Sequence, residues 1–297
     1  MTERMIKANG IDICTEAFGD PEGIPLLLIM GASAQMLYWT DEFMQPFIDQ
    51  GRYVIRYDNR DTGRSTCFDI MAPPYTLDDL VADAIGVLDA YQLDTAHVAG
   101  ASMGGMICQG LCIHHSDRLK TATLIMSSPL SGGGGETPEL GAEDLEGPSE
   151  EWMAETMAIS LRPAESREEK IQKRIEMFQR LAGSVEPFDV AKQRLIAEAE
   201  VDRAISFDAM NNHGIAIATS SPPDRRPLLR NVNVPTLVIH GTEDPILPYP
   251  QGLALAETIP GAELLTLEGA GHDMPSCYIE EIAARMIALQ NANRGSE

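Results

Sequence analysis

AHVAGASMGGMICQGLCIHH, residues 96–115, is the stretch on which the fold turns. Residues 96–99 read as a short buried strand, and residues 103–115 read as a helix. Between them lies Gly100-Ala101-Ser102-Met103-Gly104, where a strand must reverse sharply into a helix. Small flanking residues permit such a reversal, and it would lift the Ser102 hydroxyl out of the sheet edge. It also sets Ser102 at a helix N-terminus, where the Met103 N–H can face a developing oxyanion. The pattern alone is equally an ordinary glycine-rich strand-to-helix turn, so its surroundings decide.

The surroundings alternate between strand and helix. Upstream, residues 4–7 and 11–17 flank Asn9-Gly10, a hairpin turn signal. The continuous apolar run 25–30 suits a strand buried on both faces of a parallel sheet. Residues 53–57 form a further strand. Residues 76–91 show helical periodicity, with Thr76 and Asp79 placed for a capping box. Residues 121–126 complete a β-α-β-α-β order, the signature of a wound parallel sheet.

The alternation stops at Ser131-Gly132-Gly133-Gly134-Gly135, which opens a flexible acidic stretch to Ser149. Residues 150–220 carry no strand signal and read as helices over 151–161, 167–181, 190–200 and 204–219. Strands resume at 234–240 and 262–267, with helices at 251–259 and 279–290. The expected organisation is one α/β domain from residues 1–130 and 226–297, interrupted by a helical insertion, 131–225.

A serine hydroxyl needs a base, normally a histidine oriented by a carboxylate. Of six histidines, His97 sits mid-strand and is expected in the core, while His114 and His115 end the helix after Ser102. His213 falls in the insertion, and His240 ends a strand beside Gly241. His272, in Gly269-Ala270-Gly271-His272-Asp273, follows the last strand and would reach the same sheet edge as Ser102. The carboxylate should sit on the loop after the preceding strand. Asp244 is the candidate there, with Pro245 fixing the chain behind it; Glu243 and Asp273 are the competitors. A second oxyanion donor is expected from Met30-Gly31-Ala32-Ser33, either through the Ala32 N–H or the Ser33 hydroxyl.

Composition narrows the class. With 45 acidic and 22 basic residues the net charge is −23, which argues against nucleic-acid binding and attraction to an anionic membrane. No run of apolar residues is long enough to span a bilayer. The charged N-terminus leads into no apolar segment, so a cytoplasmic location is expected. Five cysteines without a C-x-x-C pair read as reduced, packed thiols. No metal or cofactor is called for.

The strand ending in Gly31, the serine turn, Asp58-x-Arg60-x-x-Gly63-x-Ser65, His-Gly-x-x-Asp at 240–244 and Gly-x-Gly-His at 269–272 together resemble the α/β-hydrolase superfamily over residues 5–292. Met30 before Gly31, Asp61, and the string 56–66 are similar to aclacinomycin methylesterase-like hydrolases, which remove a methyl group from an aromatic polyketide's carboxylate ester. The resemblance implies an α/β-hydrolase fold whose insertion caps the pocket. It also implies a serine carboxylesterase acting through Ser102, His272 and Asp244, with Ala32 and Met103 forming the oxyanion hole.

An apolar, adaptable pocket is expected from Met30, Gly31, Trp39, Trp152, Met153, Met157, Met177 and Met210. The substrate is then expected to be an ester of a largely apolar small molecule, with a methyl ester among the candidates. The same three groups would also serve a lactonase, a carbon–carbon bond hydrolase or a perhydrolase. A non-catalytic small-ligand receptor on the same fold is the reading from a different class.

Overall fold

The computed structural model describes residues 3–131 and 145–293. Most of the glycine-rich acidic stretch falls outside the described residues. Eight strands form one sheet: β1 (Arg4–Ala8), β2 (Ile11–Phe18), β3 (Ile24–Ile29), β4 (Arg52–Tyr57), β5 (Ala96–Ala101), β6 (Leu119–Ile125), β7 (Thr236–Gly241) and β8 (Glu263–Leu267). Their order is β1-β2-β4-β3-β5-β6-β7-β8. The β1–β2 hairpin and the β2–β4 pair are antiparallel. Every pairing from β4 across to β8 is parallel. The α/β-hydrolase fold expected from the sequence is therefore present.

Strand β3 shows why the sheet is covered on both sides. Alternate side chains of a strand point to opposite faces. Leu27 and Ile29 enter one core with α2 (Leu77–Ala90) and α3 (Met103–His114). Leu26 and Leu28 enter the other, with α1 (Asp41–Asp49) and α10 (Ile279–Ala292). Helix α2 starts where its cap signal predicts, the Thr76 N–H donating to Asp79 Oδ2 at 2.9 Å. Helix α1 is not among the elements that the sequence predicts. Pro46 lies inside it, yet Thr40 caps it, accepting from the Phe43 N–H, and Phe43, Met44 and Phe47 bury its inner face.

Between β6 and β7 the chain forms α4 (Glu150–Leu161), α5 (Arg167–Gln179), α6 (Val190–Arg203), α7 (Asn212–Ala218) and α8 (Arg226–Leu229). The helix predicted over 204–219 is corrected: residues 204–208 are not helical, a 3₁₀ turn spans Ala209–Asn211, and α7 begins only at Asn212. The Ile205 N–H donates to the Gly63 carbonyl at 2.9 Å, and this tertiary bond draws the backbone out of the helix. After β7, α9 (Pro250–Thr258) leads to β8. No helix among the described residues is long and apolar enough to cross a membrane.

The loop after β4 is anchored by a buried ion pair. Arg60 grips Asp83 of α2 with two bonds of 2.6 Å, and its guanidinium lies 4.8 Å from the Tyr75 ring centre. Both side chains are almost wholly shielded from solvent, so removing one strands the other's charge. Asp83→Ala is expected to cost about 3–5 kcal/mol of stability, read as a lowered urea midpoint at neutral pH. A loss comparable to that of an exposed pair, below about 1 kcal/mol, would contradict this account.

Candidate active site

Strand order in the sheet reverses direction around β3, which lies between β4 and β5. The crevice at such a switch point, outside the carboxyl ends of the strands, is where α/β sheets commonly place ligands. Here it is flanked by Gly31 after β3 and Ser102 after β5. Ser102 has φ 55° and ψ −118°, in a region that residues other than glycine rarely adopt. The conformation is held from several sides. The Ser102 N–H donates to the Ile125 carbonyl at 2.8 Å, and its carbonyl accepts from Ser127 Oγ at 2.9 Å. The flanking glycines answer to close approach: a Cβ on Gly100 would overlap the Gly104 carbonyl, and one on Gly104 would overlap that of Ile29.

Asp244 and His272 stand at the ends of β7 and β8. Their loops are laced together, Glu243 N–H to Ala270 O at 2.9 Å and Gly269 N–H to Thr242 Oγ1 at 2.8 Å. His272 Nδ1 and Asp244 Oδ2 are 2.6 Å apart. Asp244 is held by the N–H groups of Ile246 and Leu247, both donating to its Oδ1 at 3.0 and 2.8 Å. The competing carboxylates are engaged elsewhere. Glu243 accepts from the Ser184 N–H and Oγ, and Asp273 accepts from the Gly271 N–H. Burial pushes the Asp273 carboxyl above its ordinary range.

His240, the other histidine near this loop, is buried and donates from Nε2 to the Leu247 carbonyl at 2.7 Å. Burial holds its pKa below the ordinary value, so it is neutral at pH 7 and packs beneath Asp244. His97 is core, as expected, with Nδ1 2.8 Å from Thr121 Oγ1.

The loop after β3 and the first turn of α3 each bring one backbone donor near the serine, Ala32 and Met103 respectively. Gly31 abuts Ser102 so closely that a Cβ there would lie 3.0 Å from Ser102 Cβ. Among the described residues, neither the Ala32 N–H nor the Met103 N–H is taken by another group. The Ser33 hydroxyl is committed, donating to the Met210 carbonyl at 2.9 Å. Two free N–H groups beside a hydroxyl at a helix N-terminus can hold an oxyanion.

Ser102 and His272 line a common cavity of about 200 Å³. Its walls are largely apolar: Met30, Phe43, Met126, Phe178, Phe188 and Ile279, with Gly31 and Ala32 at the serine end. Tyr38 and Phe178 stack with ring centres 4.2 Å apart, joining the core to α5. Of the pocket residues expected from the sequence, Met30 and Gly31 are in place and the other six are not. Trp39 is fully buried against Phe43, one residue off the cavity face occupied by Tyr38. Met177 gives way in the same manner to Phe178. Trp152 donates from its indole to the Arg180 carbonyl, and Met153 and Met157 point to solvent from α4. Met210 sits against Arg174 at 3.7 Å. Phe178 carried a usable signal: Ile171, Arg174 and Ile175 are the buried face of α5, and position 178 continues that stripe.

Comparison with known proteins agrees with this architecture. The alpha/beta hydrolase fold family matches residues 24–275. The chain is 36% identical to rhodomycin D methylesterase of Streptomyces peucetius over 299 aligned residues, 98% of this chain and 99% of that one. Rhodomycin D methylesterase of Streptomyces sp. (strain C5) is 35% identical over 298 residues, with the same coverage of each chain. The bromoperoxidase of Bacillus anthracis has a crystal structure that superposes with a TM-score of 0.77, covering 98% of this chain and 100% of that one; at 21% identity it speaks for the fold alone. The chain belongs to the alpha/beta hydrolase family.

Proposed function

We propose that this chain is a serine carboxylesterase that hydrolyses an ester of a largely apolar small molecule, and that the ester is a methyl ester. The observation that carries the reading is the 2.6 Å His272–Asp244 pair opening onto the cavity that Ser102 lines. The whole-length similarity to two methylesterases supports the ester and its methyl group.

In this reading His272 Nε2 takes the Ser102 proton as Oγ attacks the ester carbonyl. Asp244 holds the Nδ1–H tautomer and stabilises the imidazolium that forms. The Ala32 and Met103 N–H groups receive the oxyanion. As the tetrahedral intermediate collapses, His272 returns the proton to the departing methoxide, methanol leaves, and an acyl-Ser102 remains. Water, deprotonated by His272, attacks the acyl carbonyl and releases the carboxylic acid, and Ser102 regains its proton. Helices of the insertion, residues 131–225, serve as a cap over the apolar cavity, which buries the acyl portion.

Ser102→Ala is expected to lower kcat on p-nitrophenyl acetate by a factor on the order of 10⁶ and to abolish fluorophosphonate labelling, with the urea midpoint retained. Turnover surviving in that variant would exclude Ser102 as nucleophile. Asp244→Asn and Asp244→Ala are each expected to cost about 10³- to 10⁴-fold in kcat, and Asp273→Ala less than about tenfold. The opposite ranking would transfer the carboxylate role to Asp273. Parallel rates on methyl esters, lactones, and acid plus peroxide test the substrate class; a lactone or peroxide preference would overturn the methyl ester.

A further inference from the structure

His213, in the insertion, uses both of its ring nitrogens. It lies on α7 and is wholly buried. Its Nε2 is 2.7 Å from the Arg60 carbonyl, which can only accept, so Nε2 carries the proton. The lone pair on Nδ1 accepts the Ser33 N–H at 2.9 Å. Burial keeps the ring's pKa below its ordinary value, so this acceptor persists at neutral pH.

Ser33 follows directly on Ala32. Its φ of 57° lies in the left-handed region that disfavours serine. All three of its polar groups are held by the insertion: the N–H by His213, the hydroxyl by the Met210 carbonyl at 2.9 Å, and the carbonyl by Arg174 at 2.8 Å. Arg174 is itself clamped by Glu200 at 2.6 and 2.9 Å. The Ala32 N–H lies in the Gly31–Ala32 peptide plane, which is joined to the Ala32–Ser33 plane at the Ala32 Cα. Fixing the Ser33 N–H fixes the plane between Ala32 and Ser33, and with it the backbone angle through which the Ala32 amide is presented.

We propose that His213 is a positioning residue: by accepting the Ser33 N–H it holds the loop that aims the Ala32 N–H at the oxyanion, so that the insertion sets catalytic geometry as well as covering the cavity. The proposal rests on the ester-hydrolase reading above. Without Nδ1 the part-buried Ser33 N–H has no acceptor among these groups, and the left-handed turn loses one of the three bonds that hold it.

Two near-isosteres separate the two ring nitrogens. His213→Asn keeps an acceptor at the Nδ1 position and loses the reach to Arg60. His213→Gln reaches the Arg60 carbonyl with its amide and leaves the Ser33 N–H unpaired. On p-nitrophenyl acetate, Gln at this position is expected to lower kcat by about 10²-fold with little change in KM, whereas Asn stays within a few-fold of the wild type. Hydrogen exchange at the Ser33 amide should quicken in the Gln variant and stay slow in the Asn variant. Equal kcat losses in the two, or a Gln defect confined to KM, would overturn the proposal. If the Gln variant does not fold, nitrogen NMR of the wild-type imidazole decides: a ring protonated at Nδ1 would overturn it. A wild type that neither turns over esters nor labels at Ser102 would sink the ester reading, while exchange and NMR would still report on the Ser33 tether.

Discussion

The backbone at Ser102 is forced into a conformation that costs on the order of 1–3 kcal/mol, and such strain persists only where the surroundings over-determine it. Here β6 supplies the Ile125 carbonyl, Ser127 supplies a hydroxyl, and the first turn of α3 supplies the Met106 N–H at 3.2 Å. These bonds work only because three backbones meet at contact distance. Gly104 lies against Ile29, Gly100 against Gly104, and Gly31 against the serine itself. The sharp turn therefore draws β3 and β5 together at the switch point of the sheet. Once that junction is set, the ends of β7 and β8 fall along the same edge, and Asp244 and His272 arrive there from consecutive loops.

The insertion is gripped at the same edge. The His272 N–H donates to the Leu181 carbonyl at 2.7 Å, and the Ser184 and Val185 N–H groups converge on the Gly269 carbonyl. Gly183 and Gly271 approach so closely that a Cβ on either would overlap the other segment's backbone. Glu243 ties Ser184 from the β7 side, and Glu186 accepts the N–H groups of Ser276 and Cys277. The loop bearing His272 is thus held between the sheet domain and the insertion, just as Ser33 is held from α7.

How much of this could be read from the sequence depended on the range of the signal. The buried strands showed as continuous apolar runs because both faces of the sheet are covered. Ser102, Asp244 and His272 stood out because each sits on a turn whose local composition is distinctive, and the string 56–66 pointed toward methylesterases. Helix α1 was obscured by Pro46, which its cap and three buried side chains outweigh. The cavity wall was misjudged by one residue at Tyr38 and again at Phe178. Successive residues on a helix differ by about 100° in direction, and apolarity alone does not say which side faces a cleft and which the core. His213 had no local mark at all, since its partners lie at Arg60 and Ser33, far away in the chain.

The two ends of the insertion leave the sheet domain through a single neck. Leu130 and Asp224 bridge, the Arg225 N–H donates to Pro129, and the buried Arg225 guanidinium gathers the carbonyl of Ser128 and the side chains of Gln109 and Ser131. A neck of this kind makes the inserted helices a module in the topological sense, open to replacement without rethreading the sheet. The contacts at Ser33 and Leu181 qualify that freedom. A transplanted module that kept the neck but lacked a counterpart of His213 or of the Leu181 carbonyl would join cleanly and still leave the loops bearing Ser33 and His272 without their outer supports. The unit of exchange is therefore larger than the segment between the two ends of the neck, because it includes the surfaces through which that segment holds the loops at Ser33 and His272.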